Sequence, residues 1–154
     1  MLISTKLRLG LAALAIATLT PSITPSLAQG TDPAQIIRER REGLKAVGAH
    51  MEAMGAIAQA RGDTAPAVAR IDAIQAFFVN FPDRFPASTQ AGDTKALPAV
   101  FTDRAGFAAA HGGLASPLAN LRAVAASGDS AAFGPALQQM GAACGACHRA
   151  YRAR

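Results

Sequence analysis

Two cysteines and a histidine stand together near the end of this 154-residue chain, in the run Cys144-Gly145-Ala146-Cys147-His148. On a helix, at ~100° per residue, the third and fourth positions beyond Cys144 lie about 60° to one side and 40° to the other, so both thiols and the imidazole share one face. The spacing C-x-x-C-H is the attachment signature of c-type haem: the sulfurs add to two vinyl groups as thioethers, and the imidazole binds iron through one ring nitrogen. Gly145 and Ala146 keep the intervening edge small. The reading is one covalent haem c, joined through Cys144 and Cys147, with His148 as the metal ligand.

Other chemistry uses the same residue types. A redox dithiol of the thioredoxin kind needs a strand before the pair, and a structural zinc site needs four protein ligands where two Cys and one neighbouring His are present. An exported chain with two cysteines would ordinarily form one disulfide, and a buried unreactive pair is the blandest alternative; export together with the adjacent His148 argues against that pair, as the missing strand and missing ligands argue against the dithiol and zinc. A haem-free helical dithiol or metal-binding module stands as the alternative from another class.

The elements that must position the motif are helical. By composition 51% of the chain is hydrophobic, but 38 residues are Ala, and β-branched and aromatic residues are sparse. That balance favours close-packed helices over a sheet. A first helix starts at the Asp32 cap and Pro33, then repeats Ile37, Leu44, Val47, Met51 and Met54 to about Ala58. Gly62-Asp63 breaks it. A second, from about Thr64 to Asn80, carries Val68, Ile71, Ile74, Phe77 and Phe78. Residues 81–96, with Pro82, Pro86 and Gly92, form the longest irregular connection.

A third helix near Leu97-Pro98 runs to Ser127-Gly128 as one rod, bent at Gly112-Gly113 and Pro117. The last starts at Asp129 or Ser130 and runs almost to the end, with Phe133, Leu137, Met140, Cys144 and Tyr151 near one face. Four amphipathic helices that are marginal alone bury their stripes against one another, so the expected fold is all-α, an antiparallel four-helix bundle around a covalently bound haem c. Its Ala-rich core is thin, and a large apolar group in the middle would thicken it.

Residues 1–28 read as a secretory signal peptide, leaving a bundle domain at 29–154. Lys6 and Arg8 precede an apolar run from Leu9 to Leu19, then Pro21, Pro25 and the small-residue pattern Ser26-Leu27-Ala28, so the mature chain is expected to start at Gln29. The run falls short of the roughly 18 to 20 residues that span a bilayer, which disfavours stable membrane insertion. The expected location is the periplasm. Losing Lys6 and Arg8 lowers the formal charge from +5 to +3. The remaining charges alternate in sign, as in Arg38-Glu39-Arg40-Arg41-Glu42, which is a solvated helix face and not a nucleic-acid stripe.

Only Arg149 to Arg154 follow the motif, so any sixth iron ligand must come from an upstream helix. On Cys144-x-x-Cys147-His148-x-x-Tyr151-Arg152, and on the stretch Ile37-Arg38-Glu39-Arg40-Arg41-Glu42-Gly43-Leu44, the mature chain resembles the cytochrome c′ (class II cytochrome c) family. The resemblance implies that Arg40 contacts a haem propionate, that Leu44 faces the sixth coordination position, and that Arg152 lies beside His148 near the solvent edge. An apolar residue at Leu44 implies a vacant site; low-spin relatives carry a Met there that ligates iron. Phe85 falls where the family often places an aromatic near the distal pocket, and Phe101 stands where many members have a Trp. The family also implies a homodimer through the first two helices, where Ala49, Ala53, Ala56 and Ala60 permit close approach.

Met51, about 10 Å along a helix from Leu44, reads as core filling. His50 and His111 read as surface or partly buried groups, and Met140 as packing under the ring. The resulting expectation is a five-coordinate, high-spin haem protein with no catalytic residues, not an enzyme, that transfers electrons and binds NO or CO. Bound O2 lacks a hydrogen-bond donor among Leu44, Val47 and Met51. NO buffering and weak peroxidase activity are compatible with the same site. A six-coordinate, Met-ligated electron carrier is the alternative within the class, and the redox partner is left open.

Overall fold

The computed structural model describes residues 32–154, so the expected signal peptide and its cut before Gln29 lie outside the described residues. Helix α1 spans Pro33–Ala60. Asp32 accepts the Ala34 N–H at 3.0 Å, satisfying one orphan donor, and Pro33 occupies the first helical position where its missing N–H is no loss. Its buried residues Ile37, Arg40, Val47 and Met54 recur at spacings of three and seven.

Helix α2 spans Ala65–Phe78 and starts one residue later than the sequence pattern predicts. Asp63 caps Ala65, while Thr64 is wholly buried and its hydroxyl donates to the Ala125 carbonyl at 2.8 Å. The connection that follows is more ordered than expected, since it folds into 3-10 turns at Phe81–Arg84 and Ala87–Thr89.

The single bent third helix is not what forms. Three segments take its place: α3 Ala99–Thr102, α4 Arg104–Gly112 and α5 Ala115–Ser127. The unforeseen break is at Asp103, whose backbone leaves the helical region (φ −116°, ψ 64°) while its Oδ1 accepts the Gly106 N–H at 3.0 Å. A cap inside an apolar repeat thus starts a new helix. Between α4 and α5, where the Gly and Pro signals placed the bend, Gly113 and Leu114 keep near-helical angles. Pro117 is accommodated because it sits in the first turn of α5.

Helix α6 spans Ser130–Tyr151, with the Asp129 carboxylate accepting the Ala131 and Ala132 N–H groups. It packs against α1 and α5, and α2 packs against α1 and α5, which closes a four-rod ring. Met54, Ile71, Ile74, Leu121, Phe133 and Met140 are fully buried in the main core. Met140, expected beneath the porphyrin, belongs to this core and is off the cavity wall described below: it lies a full turn deeper than Cys144. A second apolar cluster, Phe81, Phe85, Val100 and Phe107, fills one end of the bundle. Among the described residues the only β pairing is an isolated bridge between Ala96 and Arg152.

Candidate functional site

Between α1, the 81–96 connection, α4 and the last turns of α6 lies a cavity of about 520 Å3, inside the ~300–1,000 Å3 range of sites that enclose small organic ligands. All eight residues singled out in the sequence line it: Arg40, Leu44, Phe85, Cys144, Cys147, His148, Tyr151 and Arg152. Helix α6 brings the two cysteines and His148 to one wall, as the i, i+3, i+4 spacing requires. Both cysteines are free and half-buried. Burial pushes the Cys144 thiol up from its ordinary value, and burial and then the neighbouring Cys144 do the same for Cys147, so both remain thiols. Partial burial, and secondarily the Arg152 charge, hold His148 below the usual histidine value. Neutral imidazole, the form that binds metal, is thereby favoured.

Arg40 is 3% exposed, which no unpaired cation sustains. Its Nη1 donates to the Arg84 carbonyl (2.9 Å) and the Thr89 hydroxyl (3.3 Å), and its Nη2 donates to the Thr94 hydroxyl (2.9 Å). The guanidinium also lies 4.0 Å over the Phe85 ring. Three of its five N–H donors are engaged by the connection after α2, and two are left for an anionic group in the cavity. Phe85 is buried edge-on against Phe81 (5.2 Å) and Phe107 (5.0 Å). Phe101 is half-buried in the same cluster.

Leu44 is half-buried against Phe81, Phe85, Val100 and Phe107. Its neighbour Gly43 lets α1 approach α2: a Cβ there would fall 1.9 Å from Cε2 of Phe77. Tyr151 donates its hydroxyl to Oδ2 of Asp103 at 2.9 Å, and its ring meets Phe107 edge-on at 5.2 Å. Desolvation, then the hydrogen bond and charge of Asp103, raise the phenol above its ordinary value. Arg152 ends α6 with its N–H donated to the His148 carbonyl at 3.1 Å.

Two residues matter more than the sequence reading gave them: His111, read as a surface or partly buried group and found half-buried, and Asp103, which it did not single out. His111 lines the cavity, its Nε2 2.8 Å from the Phe78 carbonyl and its ring stacked 6.2 Å from Phe81. Its place four residues after the buried Phe107 was the available signal. Asp103 is the other; that Asp is a favoured N-cap residue was its one local signal. Met51 is half-buried against the main core, and neither it nor His50 touches the cavity.

The wall suits a porphyrin. Two thiols and an imidazole face an aromatic interior, and Arg41, Lys45, Lys95 and Arg152 supply cations for carboxylates at the rim.

Comparison with known proteins agrees with this geometry. The family model described as Cytochrome C' matches residues 35–152. Cytochrome c′ of Rhodospirillum rubrum is 31% identical over 146 residues, covering 90% of this chain and 95% of that protein. The crystal structure of cytochrome c′ from Rubrivivax gelatinosus superposes with a TM-score of 0.72 at 29% identity, over 81% of this chain and 100% of that one. The nitric oxide complex of a variant of cytochrome c prime from Alcaligenes xylosoxidans shares the fold, with a TM-score of 0.72 at 24% identity over 80% of this chain and 98% of that one. The matched stretch contains every cavity residue named above, and the chain belongs to the cytochrome c′ family, whose members bind one covalent c-type haem.

Proposed function

We propose that the chain is a periplasmic haem protein that transfers electrons and binds NO or CO at a five-coordinate, high-spin iron. In this reading Cys144 and Cys147 hold the haem as thioethers and His148 is the proximal ligand, with Leu44 over the vacant distal position. The observation that carries it is the composition of the cavity wall: Leu44 shares it with Cys144, Cys147 and His148, while no methionine among the described residues lines it. A Met-ligated carrier therefore lacks its ligand, and the Nε2 of the one other wall imidazole, His111, is engaged by the Phe78 carbonyl.

The haem, when bound, supplies one-electron redox cycling and an open coordination position. The chain supplies the rest. His148 is held toward its neutral form, and Leu44 offers hydrocarbon and no hydrogen-bond donor, which suits NO and CO better than stable O2 carriage. Arg40 and the rim cations hold the propionates. No catalytic residue is assigned, and the protein is proposed as a carrier and binder, not an enzyme. The nitric oxide complex in a protein of the same fold supports the gas-binding part. Export rests on residues 1–28, and a homodimer through α1 and α2 on Ala49, Ala53, Ala56 and Ala60, of which Ala53 is half-buried and the other three are exposed along α1.

The test is the optical spectrum of purified, fully haem-loaded protein with and without NO. A high-spin ferric band that changes on adding NO is expected. A low-spin spectrum with protein ligands on both faces overturns the five-coordinate reading, and a colourless protein from a host with working haem attachment overturns the whole.

A further inference from the structure

Asp103 lies outside the cavity wall, in the break between α3 and α4, yet its carboxylate joins two elements of the site. Oδ1 accepts the Gly106 N–H at 3.0 Å and so starts α4, the helix that presents Phe107 and His111. Oδ2 accepts the Tyr151 hydroxyl at 2.9 Å. The space between is closed to any side chain at Gly106, where a Cβ would lie 2.1 Å from Oδ2 of Asp103 and 2.5 Å from the Tyr151 hydroxyl oxygen. Glycine here serves the close approach of α4 to the end of α6.

The backbone reinforces the same junction. The Leu97 N–H donates to the Tyr151 carbonyl at 3.0 Å, and the Ala153 N–H donates to the Lys95 carbonyl at 2.8 Å. Both bonds tie the backbone just at and beyond the end of α6 to residues 95–97, and the side chains of the last turn complete the junction. Phe133 and Met140 hold the earlier turns of α6 in the main core, and in the last turn Tyr151 is the side chain placed to oppose a roll of the helix about its own axis. It lies three residues beyond His148, about one turn away and on a neighbouring line of the helix surface, its ring against Phe107 and its hydroxyl on Asp103. A hydroxyl donating to a carboxylate makes a charge-assisted bond, stronger and more directional than a neutral one.

We infer that Asp103 is a positioning residue for the haem: through the Tyr151 hydroxyl its carboxylate fixes the roll of the last turn of α6, and so the direction from which the His148 imidazole meets the iron. The inference rests on His148 being the proximal ligand. It assigns the break in the third helix a purpose, since an unbroken helix would carry residue 103 without an N-cap carboxylate turned toward α6.

The test uses the haem-loaded protein and reads the iron–histidine stretching band of the ferrous form by resonance Raman, with thermal melting alongside. Tyr151→Phe removes one hydroxyl and keeps the ring on Phe107; it is expected to shift or split the band. Gly106→Ala, which forces Asp103 and Tyr151 apart, is expected to do the same. Asp103→Asn keeps the cap oxygen and offers its amide N–H to the Tyr151 oxygen, so it is expected to retain the wild-type band, whereas Asp103→Ala loses it. Should Asp103→Ala fail to accumulate, Tyr151→Phe decides. A folded, haem-loaded Tyr151→Phe with the wild-type band overturns the inference even if its melting temperature falls, because lost stability alone is what a merely structural contact would show. A wild-type protein with no iron–histidine band overturns instead the assignment of His148.

Discussion

At the level of single residues, the choice between a gas-binding and a purely electron-carrying haem protein falls on Leu44. Its side chain shares a wall with Cys144, Cys147 and His148, and it is packed on Phe81 and Phe85, so a longer unbranched side chain there would extend into the same space. Leu44→Met conserves volume to within a modest packing cost, under about 1.5 kcal/mol, and places a thioether where iron could take it. The expected outcome is a shift of the ferric spectrum toward low spin and weaker NO binding; an unchanged spectrum in a folded variant would mean that Leu44 does not face the metal. The motif at Cys144–His148 was legible in the sequence because covalent attachment dictates its spacing, and the Arg40/Leu44 pair because a family resemblance carried it. His111 and Asp103 were not. The spacing of His111 from Phe107 placed it on a buried side, but the partners that define both roles, Phe78 and Tyr151, lie 33 and 48 residues away.

Among the elements, capping residues decided boundaries where periodicity did not. Asp32, Asp103 and Asp129 each accept backbone N–H groups at a helix start, and two of these starts agreed with the sequence pattern. The third lay inside an apolar repeat, Val100 to Phe107, whose continuity suggested one rod; the break comes at Asp103, which caps α4 and also accepts the Tyr151 hydroxyl. The α1–α2 contact gives a sharper test. Gly43→Ala would place a Cβ 1.9 Å from the Phe77 ring, an overpacking expected to cost about 1–3 kcal/mol in urea unfolding. Phe77→Leu in the same chain should recover part of that loss, and strict additivity of the two changes would argue that Gly43 is not there for the close approach. The Asp72–Arg122 pair between α2 and α5 is solvent-exposed and so contributes little, and less in salt. Its hydrogen bond holds the Asp72 carboxyl below the ordinary value, so its contribution is present at neutral pH and lost as pH falls through the folded-state value. The melting difference between wild type and Asp72→Asn is therefore expected to shrink both in acid and in high salt.

Across the whole molecule, two apolar clusters divide the work: Met54, Ile71, Leu121, Phe133 and Met140 hold the four rods together, while Phe81, Phe85, Val100 and Phe107 shape the cavity end. The main core is less Ala-rich than composition suggested, since of its twelve buried residues only Ala67, Ala125 and Ala136 are Ala, and the second cluster lies where the proposed haem would add apolar contact. The cavity opens to solvent and its inner wall is apolar, with Leu44, Phe81, Phe85, Val100 and Phe107, so a protein denied its haem leaves that end wetter and less closely packed than the main core. The double variant Cys144→Ser, Cys147→Ser, which removes the thioether attachment, is expected to melt far below the wild type. It should also lose hydrogen-exchange protection first at amides of α4 and the last turn of α6, with those near Ile71, Leu121 and Phe133 holding longest. Equal loss throughout would show that the bundle is one cooperative unit in which the haem supports the main core as directly as the cavity walls.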